Sequence, residues 1–355
     1  KVSMPLDLKN IKSVYFIAEI GSNFDGSLKR AKDLIKIAKD CGSQAVKFQN
    51  YTAKSLVSDK GFRLQEKTKN ATHQANWKNS VFDTYDKASL SSDWMEELAQ
   101  TAKDNEIDFL TSPYSIKLID KVYKFCNSLK IGSGDITYHE IIKYAASKNK
   151  PIMIGTGASS IDEVKKVMEF KELQNKEIVL MQCNTSYKGD PKEDQFQNIN
   201  VLKTYKKLFP KVTLGLSCHS PSNIPAIAAV TLGAKVIEKH FTDDRNREGP
   251  DHKFALDPKK WIHMINEIRS LERILGDGIK KLEDNELETV VVQRRSLYWS
   301  KDLKLGETIT SKCINSLRPC PKNAFGANEL INLIGKTVRK DVKNGDIISK
   351  DEISF

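Results

Sequence analysis

No apolar run in this 355-residue chain approaches the roughly 20 residues that a membrane-spanning helix requires, so no membrane segment is expected. The N-terminal stretch has no apolar core of the kind a secretory signal carries. Cysteine is sparse. Cys41, Cys126, Cys183, Cys218, Cys313 and Cys320 show no CxxC or other ligand-like spacing. Several lie in apolar segments, which predicts reduced core thiols and a cytoplasmic protein. Also missing are an arginine-rich arm and a basic stripe interleaved with aromatics, so no nucleic-acid partner is expected. The formal net charge of +11 suits anionic ligands, but the lysines are spread among Asp and Glu as on solvated helix faces.

What the chain does contain is alternation. Eight runs rich in Val, Ile, Leu and Phe, each ending in polar or glycine residues, read as buried parallel strands at 14–21, 45–50, 108–114, 129–135, 151–157, 178–184, 213–219 and 235–242. Amphipathic stretches separate them. Ser27 caps a predicted helix whose Leu28, Ala31, Leu34, Ile35, Ala38 and Cys41 recur at helical spacing, and Trp94, Met95, Leu98, Ala99 and Ala102 repeat the pattern. Eight strand–helix units predict a (β/α)₈ TIM barrel over residues 1–275, with a doubly wound sheet as the alternative. Residues 51–90 read as a long polar loop over the barrel mouth. A polar linker is expected at 276–292. Beyond it, KDLKLGETITS (301–311) is echoed by KDVKNGDIISK (340–350), a repeat that predicts a small β-rich domain at 293–355.

In such barrels the reacting groups stand at the C-terminal strand ends. The polar residues there include Glu19, Lys47, Gln49, Lys130, Ser133, Asp135, Thr156, Asn184, Ser217, His219, Glu238 and His240. Residues two apart share a face, so Lys47 pairs with Gln49, Ser133 with Asp135, Ser217 with His219 and Glu238 with His240. His219 and His240 close consecutive strands and can share one metal ion. Without a cysteine set the site is open rather than structural zinc, which favours Mn²⁺ or Mg²⁺. Lys47 and Lys130, with Ser133, Thr156, Asn184 and Ser217, form a candidate cradle for a phosphorylated anion.

FIAEIGSNFDGSL, VKFQ, KIGSGD, LGLSCH, EKHFTDDRNREGPDH and the RP of SLRPCP together resemble the sialic acid synthase family, in order and from about residue 14 to 353. The C-terminal repeat resembles that family's antifreeze-like (SAF) domain. The resemblance implies condensation of phosphoenolpyruvate with an N-acetylated amino sugar such as N-acetylmannosamine, with phosphate released. It also implies a divalent metal (Mn²⁺ first, Mg²⁺ or Co²⁺ as alternatives) and a homodimer with swapped C-terminal domains. Alternative products are legionaminic or pseudaminic acid from a 6-deoxy diacetamido sugar, or a 3-deoxy-ulosonate phosphate. His219 and His240 match the metal ligands, and Lys47, Lys130, Ser133 and Ser217 match the phosphoenolpyruvate site. Glu19, Gln49, Tyr187 and Asp251 match residues around the acceptor or the reacting centre. Asp135 stands where many relatives carry glutamate, and Arg318 matches an arginine lent to the other subunit's sugar site. Phe24 and Cys218 depart from the family pattern, and both are expected around the sugar pocket.

Overall fold

A computed structural model describes residues 6–8, 11–66, 74 and 77–354, and the chain divides into two compact units, Lys1–Gly276 and Asp277–Phe355. The first unit is a closed barrel of eight parallel strands. In chain order these are β1 (Tyr15–Glu19), β2 (Ala45–Asn50), β3 (Asp108–Pro113), β4 (Ser128–Ile131), β5 (Ile152–Gly155), β6 (Ile178–Cys183), β7 (Thr213–Cys218) and β8 (Val236–His240). Closure comes from β8 pairing with β1, in a register that sets His240 beside Glu19; β2 in turn sets Lys47 beside Glu19.

Side-chain alternation divides each strand between two cores. Phe16, Val46, Phe48, Phe109, Leu129, Ile154, Leu180, Leu216 and Ile237 point outward and pack against the helices. Tyr15, Ile17, Ala45, Leu110, Met153, Val179, Met181 and Val236 fill the interior, with Leu8 packed into the same cluster. This apolar filling makes the barrel a solid floor, and the polar residues begin one step further along each strand. The helix Leu28–Asp40 starts where expected, because the Ser27 side chain accepts from the Arg30 amide, and it buries Ala31, Leu34, Ile35 and Ala38.

Two expectations change. β4 ends at Ile131, and Ser133–Asp135 forms a 3₁₀ turn, so the period-two pairing of Ser133 with Asp135 does not apply. The stretch read as a polar loop carries three short helices, Ala53–Leu56, Asp59–Glu66 and Val81–Ala88, while 67–73 and 75–76 lie outside the described residues.

In the second unit, Ser296–Trp299 pairs antiparallel with Ile314–Leu317, and Thr337–Val338 with Ile353–Ser354. The two repeat copies bond to each other. Leu303 bridges Val342, while Lys304 pairs with Asp341 and Lys343 with Asp302. Gly306 (φ +85°) and Gly345 (φ +92°) supply the left-handed turn residue in each copy. Part of the expected linker is ordered, as the helix Leu287–Gln293.

Phe48 is fully buried between Phe24 and Phe109, with ring centroids 6.4 and 5.8 Å away. Phe48→Ala is expected to destabilise the barrel by about 3–5 kcal/mol in urea denaturation. A loss below about 1 kcal/mol would show that the outer core does not depend on this contact.

Candidate active site

At the C-terminal end of the barrel lies a cavity of about 400 Å³. Its floor is a layer of charge resting on the apolar filling. Lys47 Nζ lies 2.7 Å from Glu19 Oε2 and 3.4 Å from Glu238 Oε1, and Lys130 Nζ lies 2.9 Å from Glu238 Oε2. All four residues are buried, at 5% exposure or less. Ser112 and Ser217 accept from Lys47 and Lys130 at 3.2 and 3.4 Å, and Gln49 Nε2 donates to Glu19 Oε1 at 2.6 Å.

Burial alone would raise the Glu238 pKa, but the Lys130 and Lys47 ammoniums outweigh it and hold the carboxyl down to about 2. For Lys47, burial pulls the pKa down, and the Glu19 and Glu238 carboxylates reverse it to a net rise. Lys47 and Glu238 are therefore both charged at neutral pH.

The two histidines face each other above this layer, ring centroids 5.4 Å apart. Burial pushes His219 down to about 3, reinforced by the neighbouring His240, so its ring is neutral. Its Nδ1 lies 3.0 Å from the Asn184 carbonyl oxygen. A carbonyl only accepts, so Nδ1 carries the proton and Nε2 the lone pair. His240 Nδ1 is buried with no hydrogen-bond partner among the described residues and lies 3.9 Å from Asp251 Oδ2. A neutral imidazole with its other nitrogen anchored, beside an orphaned ring nitrogen, is the donor set a divalent cation takes up. Among the described residues no group of three or more His, Cys, Asp or Glu side chains is arranged for a metal. His219 and His240 are the candidate metal donors.

Asp251 accepts from the Ser22 amide at 3.0 Å and the Ser22 hydroxyl at 2.8 Å. Gly21 (φ +53°) makes this approach possible, because a Cβ there would sit 2.6 Å from Asp251 Oδ2 and 3.2 Å from the His240 ring. The Tyr187 ring packs against His219 at a tilt of 53°, centroids 4.3 Å apart, and Asp135 also lines the cavity, its carboxyl pushed up to about 6 by burial.

Of the residues singled out in the sequence, Glu19, Lys47, Gln49, Lys130, Ser133, Asp135, Tyr187, Ser217, His219, His240 and Asp251 line this cavity. Thr156 and Asn184 do not. Thr156 Oγ1 donates to the Met181 carbonyl and accepts from Tyr205, since the strand ends at Gly155 and the next residue turns away. The Asn184 side chain donates to the Phe196 carbonyl and accepts from the Ser186 amide, so this residue reaches the site through its carbonyl on His219. Arg318 lies exposed in the second unit, its Nε donating to the Gln293 carbonyl at 2.6 Å. Phe24 and Cys218 sit in the outer core between strands and helices, not around the pocket. Cys183 lines the cavity instead, 3.9 Å from His219 Nδ1 and kept as a thiol by burial, which pushes its pKa up to about 11. Sequence reasoning also passed over the aromatic wall of Tyr51, Trp77, Tyr85 and Tyr114. Only Tyr114 belongs to a strand-end pattern; the others come from the long β2 loop.

Fold and site together define a (β/α)₈ barrel enzyme whose mouth joins a lysine–carboxylate floor to a pair of facing imidazoles. A model of the NeuB family matches residues 34–280, and a model of the SAF domain matches residues 294–354. The chain belongs to the NeuB family. It is 33% identical to the N,N'-diacetyllegionaminic acid synthase of Campylobacter jejuni, over 95% of this chain and 99% of that one. It is likewise 33% identical to the pseudaminic acid synthase of the same organism, over 96% and 97%. Among solved structures, N-acetylneuraminic acid (sialic acid) synthetase from Leptospira borgpetersenii, in complex with citrate, aligns with a TM-score of 0.68 at 25% identity, over 81% of this chain and 96% of that one.

Glu238 anchors both lysines, and its loss would leave buried ammonium charge without a partner. Glu238→Gln is expected to cost about 3–5 kcal/mol at pH 7. The folded-state pKa lies near 2 against an ordinary 4.5, so the carboxylate's contribution is complete above 4.5 and fades as pH falls toward 2. Urea denaturation should therefore give a smaller difference between variant and parent at pH 3 than at pH 7. An equal difference at both pH values would contradict the assignment.

Proposed function

We propose that this protein condenses phosphoenolpyruvate with an N-acetylated amino sugar to form a nonulosonic acid, releasing phosphate. The observation that carries the reading is the stacking, in one cavity, of two buried lysines on the floor and two facing histidines above them. The named relatives, synthases of legionaminic and pseudaminic acids, support the same chemistry.

Lys47 and Lys130, with Ser112, Ser133 and Ser217, grip the phosphate and carboxylate of phosphoenolpyruvate and orient C3 toward the acceptor. Their charges are already balanced by Glu19 and Glu238, so a multiply charged anion needs further positive charge nearby. His219 and His240 would hold a divalent cation, Mn²⁺ first with Mg²⁺ or Co²⁺ as alternatives, which when bound would supply that charge and polarise the acceptor's carbonyl oxygen. Bond formation joins C3 to the acceptor's carbonyl carbon, whose oxygen ends protonated as a hydroxyl. Water then adds to the electron-deficient C2, Glu19 passes the proton it gives up to the acceptor's new alkoxide, and the C2–O bond to phosphate breaks as the C2 hydroxyl becomes the ketone and its proton leaves with phosphate. Gln49 orients Glu19 by its 2.6 Å hydrogen bond. Asp251, Asp135, Gln49 and Tyr187 bind the sugar's hydroxyl and acetamido groups.

The assembly we propose is a homodimer in which Arg318 of one copy reaches the sugar site of the other. Exposed apolar side chains at Ile274, Ile279, Leu282, Leu287 and Val292 favour burial against a second copy. No helix among the described residues is long and apolar enough to cross a membrane. A cytoplasmic setting fits the six free thiols.

Purified protein given phosphoenolpyruvate, Mn²⁺ and a panel of N-acetylmannosamine, 6-deoxy diacetamido sugars and pentose phosphates should release phosphate with an N-acetylated sugar. His240→Ala should reduce that release to background and abolish its dependence on metal. Full activity in the variant, with an unchanged response to metal, would contradict the proposal, as would turnover with the pentose phosphate alone.

A further inference from the structure

The motif EKHFTDDRNREGPDH ends in a histidine that the chemistry above does not use. His252 is 1% exposed, yet both of its ring nitrogens are engaged. Nε2 lies 2.8 Å from Asp25 Oδ1, and Nδ1 lies 2.7 Å from Thr242 Oγ1. The other Asp25 oxygen takes Arg247 Nε at 2.7 Å and lies 3.4 Å from Arg30 Nε. Arg30 also clamps Asp243 with two nitrogens, at 2.9 and 3.0 Å. Asn23 Nδ2 adds a bond to the Phe241 carbonyl at 2.9 Å. Asp25 itself holds a left-handed backbone conformation, φ +50°. Gly249 leaves room for the ring, since a Cβ there would sit 2.7 Å from His252 Cδ2.

The carboxylate–imidazole–hydroxyl order matches that of a nucleophilic triad, but the surroundings exclude one. Thr242 is fully buried, and its hydroxyl is tied to the Asp244 carbonyl and amide, so no substrate reaches it. The set joins two loops instead: the one after β1, which carries Ser22, and the one after β8, which carries Asp251. His252 directly follows Asp251, and the two side chains meet different surroundings, one the cavity and one the clasp.

We infer that His252 is a positioning residue: clasped between Asp25 and Thr242, it fixes the β8 loop so that Asp251 meets Ser22 and His240. It acts on the acceptor end of the site and leaves the lysine floor untouched. The kinetic half of this inference rests on the function proposed above; the structural half does not.

Two measurements on full-length protein test it. In amide hydrogen exchange, His252→Asn should speed exchange at Ser22, whose N–H donates to Asp251, by about tenfold or more, with Lys47 and Ser217 in the barrel strands unchanged. Asp25→Asn should move the same amide in the same direction. In steady-state assays, His252→Asn should raise KM for the sugar by about tenfold and leave KM for phosphoenolpyruvate in place, and adding it to Asp251→Asn should cost nothing further. An unchanged Ser22 amide, uniform loosening of the strands, or losses that add to those of Asp251→Asn would each overturn the inference. Absence of condensation by the parent protein would remove the proposed function but leave the exchange result decisive for the clasp.

Discussion

The arrangement depends on four charges that water barely reaches. Glu19, Lys47, Lys130 and Glu238 come from β1, β2, β4 and β8, and Glu238 bridges both lysines. Each would be costly to bury alone, by several kcal/mol even after relaxation. Together they are net neutral, and their serine and glutamine contacts meet part of the remaining hydrogen-bonding demand. Strand register is what brings them into range. Lys47 aligns with Glu19, and Ser217 with Glu238, because the barrel closes in one register that keeps the apolar interior filled.

Above the floor the design changes from strands to loops. His219 and His240 stand at strand ends, where backbone position is rigid. Asp251, Tyr187, Asp135 and the aromatic wall ride on connecting segments. The floor suits recognition of a common small anion; the loop-borne rim suits variation in the partner that anion meets. Relatives named for different nonulosonic acids fit that division.

Much of this was legible in the sequence, for a physical reason. Buried parallel strands are apolar throughout, so eight such runs with polar tails announce both a barrel and the ring of residues at its mouth. Lys47 and His240 were found that way because a strand leaves side-chain direction little freedom. One residue beyond the strand the rule divides: His219, just past β7, still lines the cavity, and two others do not. Thr156 turns to Met181 and Tyr205, and Asn184 keeps only its carbonyl in the site. Phe24 and Cys218 looked like pocket residues by position but pack outward. Contacts between distant segments carry no local pattern. The double pairing of Glu238 and the Asp25–His252–Thr242 clasp join residues as much as 227 positions apart, so only the fold reveals them.

We propose that the lysine floor is an anion site and not merely a balanced structural pair. Calorimetric titration of phosphoenolpyruvate into the protein and into Lys130→Met, both with Mn²⁺ present, tests it most directly. Saturable binding is expected in the parent, with a loss of about tenfold or more in the variant, since a charge-assisted contact is worth about 1.5–3 kcal/mol. Equal affinity in a Lys130→Met protein that remains folded would contradict it.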